Sequence, residues 1–335
     1  MPINIIRYLF MLRVTGSLVT LSDYPALELS LVLGNAIANR LPASQARPWR
    51  KAAALWDQHG LGPQYLKKGL TSLPEVDWPI ETVILFYPGK RSYGFDELIC
   101  WELKLLGDSA DHDMFLEIIM PALEEACTTV DSRWRFPQGL WGKAGIQAVY
   151  VARGLHWEPL VQQGQLDLGY KAGPTQWAEG LDFDSCAGLA FDRLTWITPF
   201  HLESPGADLQ YPQDPARPSP NRAPTLRQLY DAFVARVSSL ILNKRHPSDT
   251  FWNLLTKQDQ LSLEAALERS SRVRLSSKAF KAGRTQMPEA FFGMQRFAPV
   301  IPQVIVPLLG LGSIIHLGRH THLGQGAFYL DSSFS

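Results

Sequence analysis

PQVIVPLLGLGSIIHLGRHTHLGQGAFYL, residues 302–330, runs from an apolar segment through a glycine- and histidine-rich loop into a short apolar stretch. Pro302 opens the segment, and Pro307, Gly310 and Gly312 predict that its helix, ending near residue 315, is short or kinked. Residues 327–330, AFYL, read as a strand. Between them lie Gly318, Gly324 and Gly326 with Arg319, Thr321 and three histidines, His316, His320 and His322. Glycines let a backbone come close to an anion, and imidazoles exchange protons near neutral pH.

The elements upstream repeat one pattern. Residues 189–202 read as a strand, and a connector with Pro205, Pro212, Pro215, Pro218, Pro220 and Pro224 resists helix and sheet. Thr225 caps a helix that runs to about residue 243, and residues 256–269 are helical again. Residues 272–281 and 291–300 are strands. With the closing helix and strand, and apart from the second helical stretch, the order approximates strand, helix, strand, strand, helix, strand.

The first half reads the same way. Residues 3–20 form a strand and residues 26–41 a helix, with Asp23 and Pro25 at the junction. Strands at 81–87 and 97–106 are joined through Pro88-Gly89. An amphipathic helix covers 113–127 with Asp113 near its start, and a strand covers 145–153. This is the order of the split βαβ unit, in which two helices cover one face of a four-stranded antiparallel sheet. The expected fold is therefore α+β, with tandem ferredoxin-like (RRM-like) domains. The first spans 1–155 with an insertion at about 42–80, a linker spans 156–185, and the second domain spans 186–335.

Composition fits two cores, with 46% apolar residues and 11% aromatics over 335 positions. Lys and Arg number 32 and so do Asp and Glu, so no global field draws the chain to nucleic acid or to an anionic membrane. Cys100, Cys127 and Cys186 are far apart, which argues against a disulfide framework and a structural zinc site. Residues 1–18 are apolar but interrupted by Arg7 and Arg13, no secretory signal follows, and no apolar run is long enough to span a bilayer. The cytoplasm is the expected compartment, without a membrane partner.

Charge is nevertheless concentrated. From 269 to 319 the chain carries Arg269, Arg272, Arg274, Lys278, Lys281, Arg284, Arg296 and Arg319 against Glu289 alone. Such a cluster can neutralise phosphates, with Ser276, Ser277 and Thr285 positioning the backbone; the alternative is a solvated strand face. The loop 318–326 admits three readings: phosphate binding with Arg319 as the fork, a metal site from the three histidines, or a tight turn into an edge strand. No carboxylate or cysteine joins the histidines nearby, so no metal or cofactor is expected. A second glycine loop, GLWGKAG at 139–145, places Lys143 before a strand, either for anion contact or as a plain turn. His59, in DQHG at 57–60, is a lone histidine in a polar loop. No Gly-x-Ser-x-Gly elbow, His-Glu-x-x-His pair or dinucleotide fingerprint is present.

The closing segment LLGLGSIIHLGRHTHLGQGAFYL, the preceding FKAGRTQMPEAFFGMQRF and the earlier LTWITPFHLE together resemble the CRISPR-associated endoribonucleases that cut precursor CRISPR RNA within its repeats. These belong to the repeat-associated mysterious protein (RAMP) superfamily. The matching positions are His316, Gly318, Arg319, Thr321, Gly324, Gly326 and Phe328, with Thr198-Pro199 ending the first strand of the second unit. The resemblance implies repeat RNA held by the glycine loop and basic strands (Lys143, Arg272, Arg274, Lys278, Lys281, Arg284, Gly318, Thr321, Gly324, Gly326). It also implies metal-independent attack by a ribose 2′-hydroxyl, and other CRISPR effector or adaptation subunits as further partners. Many family members carry the histidine on or near the first helix, and residues 26–41 contain none. The role falls to His316, or to His320 or His322, with Arg319 stabilising charge and His59 in reserve. Two rivals stand: a non-catalytic RNA-binding subunit of the same superfamily, and a metal-dependent phosphoesterase using the histidine cluster.

Overall fold

A computed structural model describes residues 3–58, 78–87, 89–129, 137–181, 190–202, 223–241, 251–270, 274–276, 281–282 and 291–332. The chain divides into two compact units: residues 1–181 with 322–324, and residues 182–321 with 325–335.

In the first unit β1 (Ile5–Val14) alternates strictly from residue 8 onward. Tyr8, Phe10, Leu12 and Val14 point into the core while Arg7, Leu9, Met11 and Arg13 face the other way. Tyr8 stacks on Phe115 of the helical layer at 3.6 Å, and within the sheet Phe10 stacks on Trp101 at 4.4 Å. β2 (Leu18–Thr20) pairs with β4 (Ser92–Gly94) in a small separate ribbon. α1 (Pro25–Arg40) starts with Pro25, whose missing N–H costs nothing in a first turn. It is buried on nearly every side.

β3 (Thr82–Phe86), β5 (Leu98–Leu106), β1 and β6 (Ala144–Arg153) give the spatial order β3-β5-β1-β6 with every pair antiparallel. That is the ferredoxin-like order. The second covering helix, α3, spans residues 112–128. Asp111 caps it, its carboxylate accepting from the Asp113 and Met114 amides, and a π-helical stretch, Phe115–Ile119, sits inside it.

Three features depart from expectation. The strand expected over residues 3–20 is two, β1 and β2, in separate sheets. The segment after residue 42 contains a helix, α2 (Ala43–Gln58), despite Pro48 within it. Residues 156–181, expected within a linker, belong to the first unit: β7 (His156–Gln162) and β8 (Gln165–Leu166) extend the sheet to six strands. Pro159 and the polar residues of β7 obscure the strand in the sequence, as suits a strand near a sheet edge.

The second unit repeats the arrangement. β9 (Arg193–Phe200), β10 (Arg274–Ser276), β12 (Phe291–Ala298) and β13 (Phe328–Asp331) lie in the order β10-β12-β9-β13, and β11 (Lys281–Ala282) also pairs with β12. α4 (Leu226–Leu240) begins with a reciprocal capping box: Gln228 N donates to Thr225 Oγ1, and Thr225 N donates to Gln228 Oε1. Its buried stripe is Leu226, Leu229, Tyr230, Phe233, Val237 and Leu240. α5 (Lys257–Ser270) follows, and α6 (Val306–Ile315) is the short helix that Pro307 and the glycines foretold. The core centres on Trp196, which stacks on Phe200 at 3.8 Å and meets Phe328 at 5.2 Å. The expected proline-rich connector lies largely outside the described residues. No helix among the described residues is long and apolar enough to cross a membrane.

Candidate functional site

The segment after α6 is a packed element. α6 ends at His316, whose backbone sits at φ 58°, ψ 148°, a region that residues with a Cβ rarely occupy. The His316 ring is fully buried, and Nδ1 lies 3.0 Å from the Gln325 carbonyl oxygen. A carbonyl only accepts, so Nδ1 carries the proton.

Around this tie the loop's amides find protein acceptors. Leu317 N donates to Gly326 O at 3.1 Å, Arg319 N to His201 O at 2.9 Å and Gln325 N to His320 O at 3.3 Å. Gly326 N donates to Pro199 O and Ala327 N to Thr198 Oγ1, both at 2.9 Å. Thr198-Pro199 and the glycine loop, singled out separately in the sequence, are thus one hydrogen-bonded structure.

Gly318 and Gly326 are required here by contact as well as by φ. At φ +94° and +78°, a Cβ on Gly318 would come 2.3 Å from His201 O and one on Gly326 2.0 Å from Leu317 O. Several amides expected to cradle a phosphate therefore close the loop on its own unit instead.

The other expected residues scatter. Arg319 and His320 are half-buried, and His320 sits at φ +57°. Thr321 is buried. His322 and Gly324 cluster with the first unit. Lys143 donates from Nζ to the Pro137 carbonyl, and its stem lies 3.0 Å from where a Gly16 Cβ would stand. Arg274 is opposite Ala298 and Lys281 opposite Phe292, on the strands that border β12. Arg272, Lys278, Arg284 and His59 lie outside the described residues. Among the described residues no group of three or more His, Cys, Asp or Glu side chains is placed to hold a metal ion.

Sequence reasoning missed a buried charge cluster in the first unit. On the sheet face opposite the Tyr8 side, Arg7 Nε donates to Glu102 Oε1 at 2.6 Å and Tyr87 donates to Glu102 Oε2 at 3.1 Å. Lys104 Nζ is 3.9 Å from Glu102. Arg7 also lies over the Trp157 ring at 5.3 Å. Burial pushes the Glu102 carboxyl up, but Lys104, Arg7 and the two hydrogen bonds outweigh it and hold the carboxyl below its ordinary value. Burial pushes the Lys104 ammonium down to about 8 against the pull of Glu102. The available signal was charged residues alternating with large apolar ones in LICWELKLL, which reads as a solvated face.

A second cluster joins His112 to Tyr8 and Tyr170. His112 Nδ1 is 2.9 Å from Tyr8 Oη, and Nε2 is 3.3 Å from the Tyr170 carbonyl. Burial lowers the His112 pKa and raises that of Tyr8.

No family model matches the sequence, and no curated protein matches it. Among solved structures, the fold is similar to that of a chain in a "Partial Cas6-RT-Cas1--Cas2 complex", at 12% identity and a TM-score of 0.51 over 99% of this chain and 46% of that one. A chain in a "Cas6-RT-Cas1--Cas2 complex" gives the same identity and TM-score over 99% of this chain and 29% of that one. The chain thus spans less than half the length of either. At this identity the likeness is one of fold, and the fold is a pair of ferredoxin-like units.

Proposed function

We propose that this chain is a CRISPR-associated endoribonuclease that cleaves precursor CRISPR RNA within its repeats, by attack of a ribose 2′-hydroxyl on the adjacent phosphate and without a metal ion. The observation that carries this reading is the union of Thr198-Pro199 with the 316–326 loop through the Gly326 and Ala327 amides. Both segments carry the resemblance to those endoribonucleases, and they form one element on the strand pair β9–β13. The fold likeness to chains from Cas6-containing complexes supports it.

The reaction needs a base to take the 2′-hydroxyl proton, an acid to protonate the leaving 5′-oxygen, and a cation for the charge on the pentavalent phosphorus. Arg319 is assigned the cation's task and His320, the half-buried histidine of the loop, a proton transfer. His316, buried with its Nδ1 proton committed to Gln325, is assigned the holding of the loop. His59 remains the reserve. Phosphates are held by Arg319, Lys143 and the basic stretch 272–284, with other CRISPR subunits as further partners.

A non-catalytic RNA-binding subunit is the second reading, favoured by the burial of His316. The deciding test incubates the full chain with cognate repeat RNA in EDTA, beside copies carrying one 2′-deoxy nucleotide at each candidate position. Cleavage that gives a 2′,3′-cyclic phosphate and vanishes for one deoxy position supports the enzyme. Tight binding with intact RNA supports the scaffold, and cleavage lost in EDTA supports the metal-dependent phosphoesterase.

A further inference from the structure

On the sheet face of the first unit that lies opposite the Tyr8 side, positive charge is in surplus. Arg7 pairs with Lys104 and Leu9 with Glu102 across β1 and β5, so Arg7, Lys104 and Glu102 stand together on that face. Lys104 is buried, and its pKa of about 8 leaves it mostly an ammonium at pH 7. Two cations thus share one carboxylate. Arg7 is the outlet for the excess. Its side chain is 18% exposed and gives Nε to Glu102, while among the described residues its Nη1 and Nη2 groups have no hydrogen-bond partner. The end of the guanidinium is therefore left to grip two oxygens of an anion, as a planar fork does with phosphate.

Aromatic rings flank this fork. Arg7 Cζ lies 5.3 Å from the centre of the Trp157 ring. Trp157 pairs with Ala152, and Tyr150, two residues from Ala152 along β6, pairs with Leu9, so Trp157, Tyr150 and Arg7 share one side of the sheet. Both rings are half-buried, and the Ala152 methyl puts little bulk between them. A cation beside partly exposed rings on a sheet suits single-stranded nucleic acid, because the cation holds a phosphate and the rings stack on bases of any identity. An ion pair that only joined two strands would need neither the second cation nor the uncommitted donors.

We propose that this face of the first unit docks single-stranded RNA, with one phosphate gripped by Arg7 and neighbouring bases stacked on Trp157 and Tyr150. The proposal rests on the reading of the chain as an RNA-processing protein and extends it, since it adds a contact outside the loop 316–326. Glu102 and Lys104 are positioning residues that set the guanidinium and need not touch RNA.

The test measures binding of a short labelled oligouridine, and of an abasic strand of the same length, to the full chain in EDTA by fluorescence anisotropy over a range of salt. Trp157→Ala and Tyr150→Ala are each expected to weaken oligouridine binding by about fivefold or more, the range for a lost base stack, and to leave binding of the abasic strand within about twofold of wild type. Arg7→Gln leaves Glu102 paired one for one with Lys104. It is expected to weaken binding of both strands and to lower the salt slope by about 0.7, the share of one phosphate on a single strand. If Trp157→Ala does not fold, Trp157→Leu takes its place beside Trp157→Phe, with the loss expected in the leucine variant and largely absent in the phenylalanine one. An oligouridine-specific loss in neither ring variant, or an unchanged salt slope in Arg7→Gln, would overturn the site, as would wild-type protein that binds no oligouridine. Cleavage of cognate repeat RNA is read separately. Wild-type protein that leaves the repeat intact while the variants show these losses sinks the endoribonuclease reading and keeps the site; cleavage with variants that bind as wild type does the reverse.

Discussion

His316 donates from Nδ1 to the carbonyl oxygen of Gln325 across a 3.0 Å bond that closes the loop between α6 and β13. Both residues are buried. Because the His316 backbone sits at φ 58°, ψ 148°, the bond is made on a strained residue, at a cost of about 1–3 kcal/mol. His316→Ala keeps the strain and leaves a buried carbonyl unsatisfied, a loss of about 1–3 kcal/mol. His316→Gly loses the same bond but relieves the backbone. The glycine variant is therefore expected to be the more stable of the two in urea unfolding, and the reverse order would show that the φ value carries no penalty.

Gly326→Ala is expected to destabilise the chain by at least about 2 kcal/mol, because its Cβ would stand 2.0 Å from the Leu317 carbonyl at φ +78°. Gly145, in β6, provides the contrast. Nothing lies within 4 Å of a Cβ placed there, and no positive φ is involved. Gly145→Ala is expected to be neutral or stabilising by up to about 1 kcal/mol through the unfolded chain. Thermal melts of the two variants against wild type check both signs.

Periodicity carried most of the fold. The cap at Thr225 and the apolar, aromatic run over 3–20 are local signals, and the structure places α4 after the one and β1 within the other, although β1 ends at residue 14. α2 was hidden because Pro48 sits inside it, and β7 because Pro159 and polar residues line a strand near the sheet edge. The site was less legible for a different reason. Residue type and spacing distinguish His316, His320 and His322 from the background but say nothing of burial, and burial separates the enclosed His316 and His322 from the half-buried His320.

Glu102 is the anion between two buried or half-buried cations, Arg7 and Lys104. Glu102→Gln keeps the shape but leaves the Lys104 ammonium uncompensated in the interior. Breaking a buried pair in this way costs about 3–5 kcal/mol. Because the folded-state pKa of Glu102 lies below its unfolded value, its contribution is fully present above that unfolded value and is lost as pH falls through the folded one. The variant is therefore expected to lose stability at pH 7 and to show a shallower acid limb than wild type. Equal urea midpoints at pH 7 would contradict the buried-charge account.

Lys104 gives the opposite sign at the other end of the scale. Burial brings its folded-state pKa down to about 8, whereas a lysine in the unfolded chain titrates near 10.4. Between these values the unfolded chain binds a proton that the folded protein has given up, so stability attributable to this site rises with pH across that window and is flat outside it. The full rise is about 3 kcal/mol. Lys104→Met has no such group, and Glu102 in that variant retains its bonds from Arg7 and Tyr87. Subtracting the variant's stability from that of wild type at each pH removes the tyrosine titrations common to both proteins. The difference is expected to shift toward wild type between pH 8 and 10.4, and a flat difference would mean that the buried ammonium keeps an ordinary pKa through stronger compensation than Glu102 supplies.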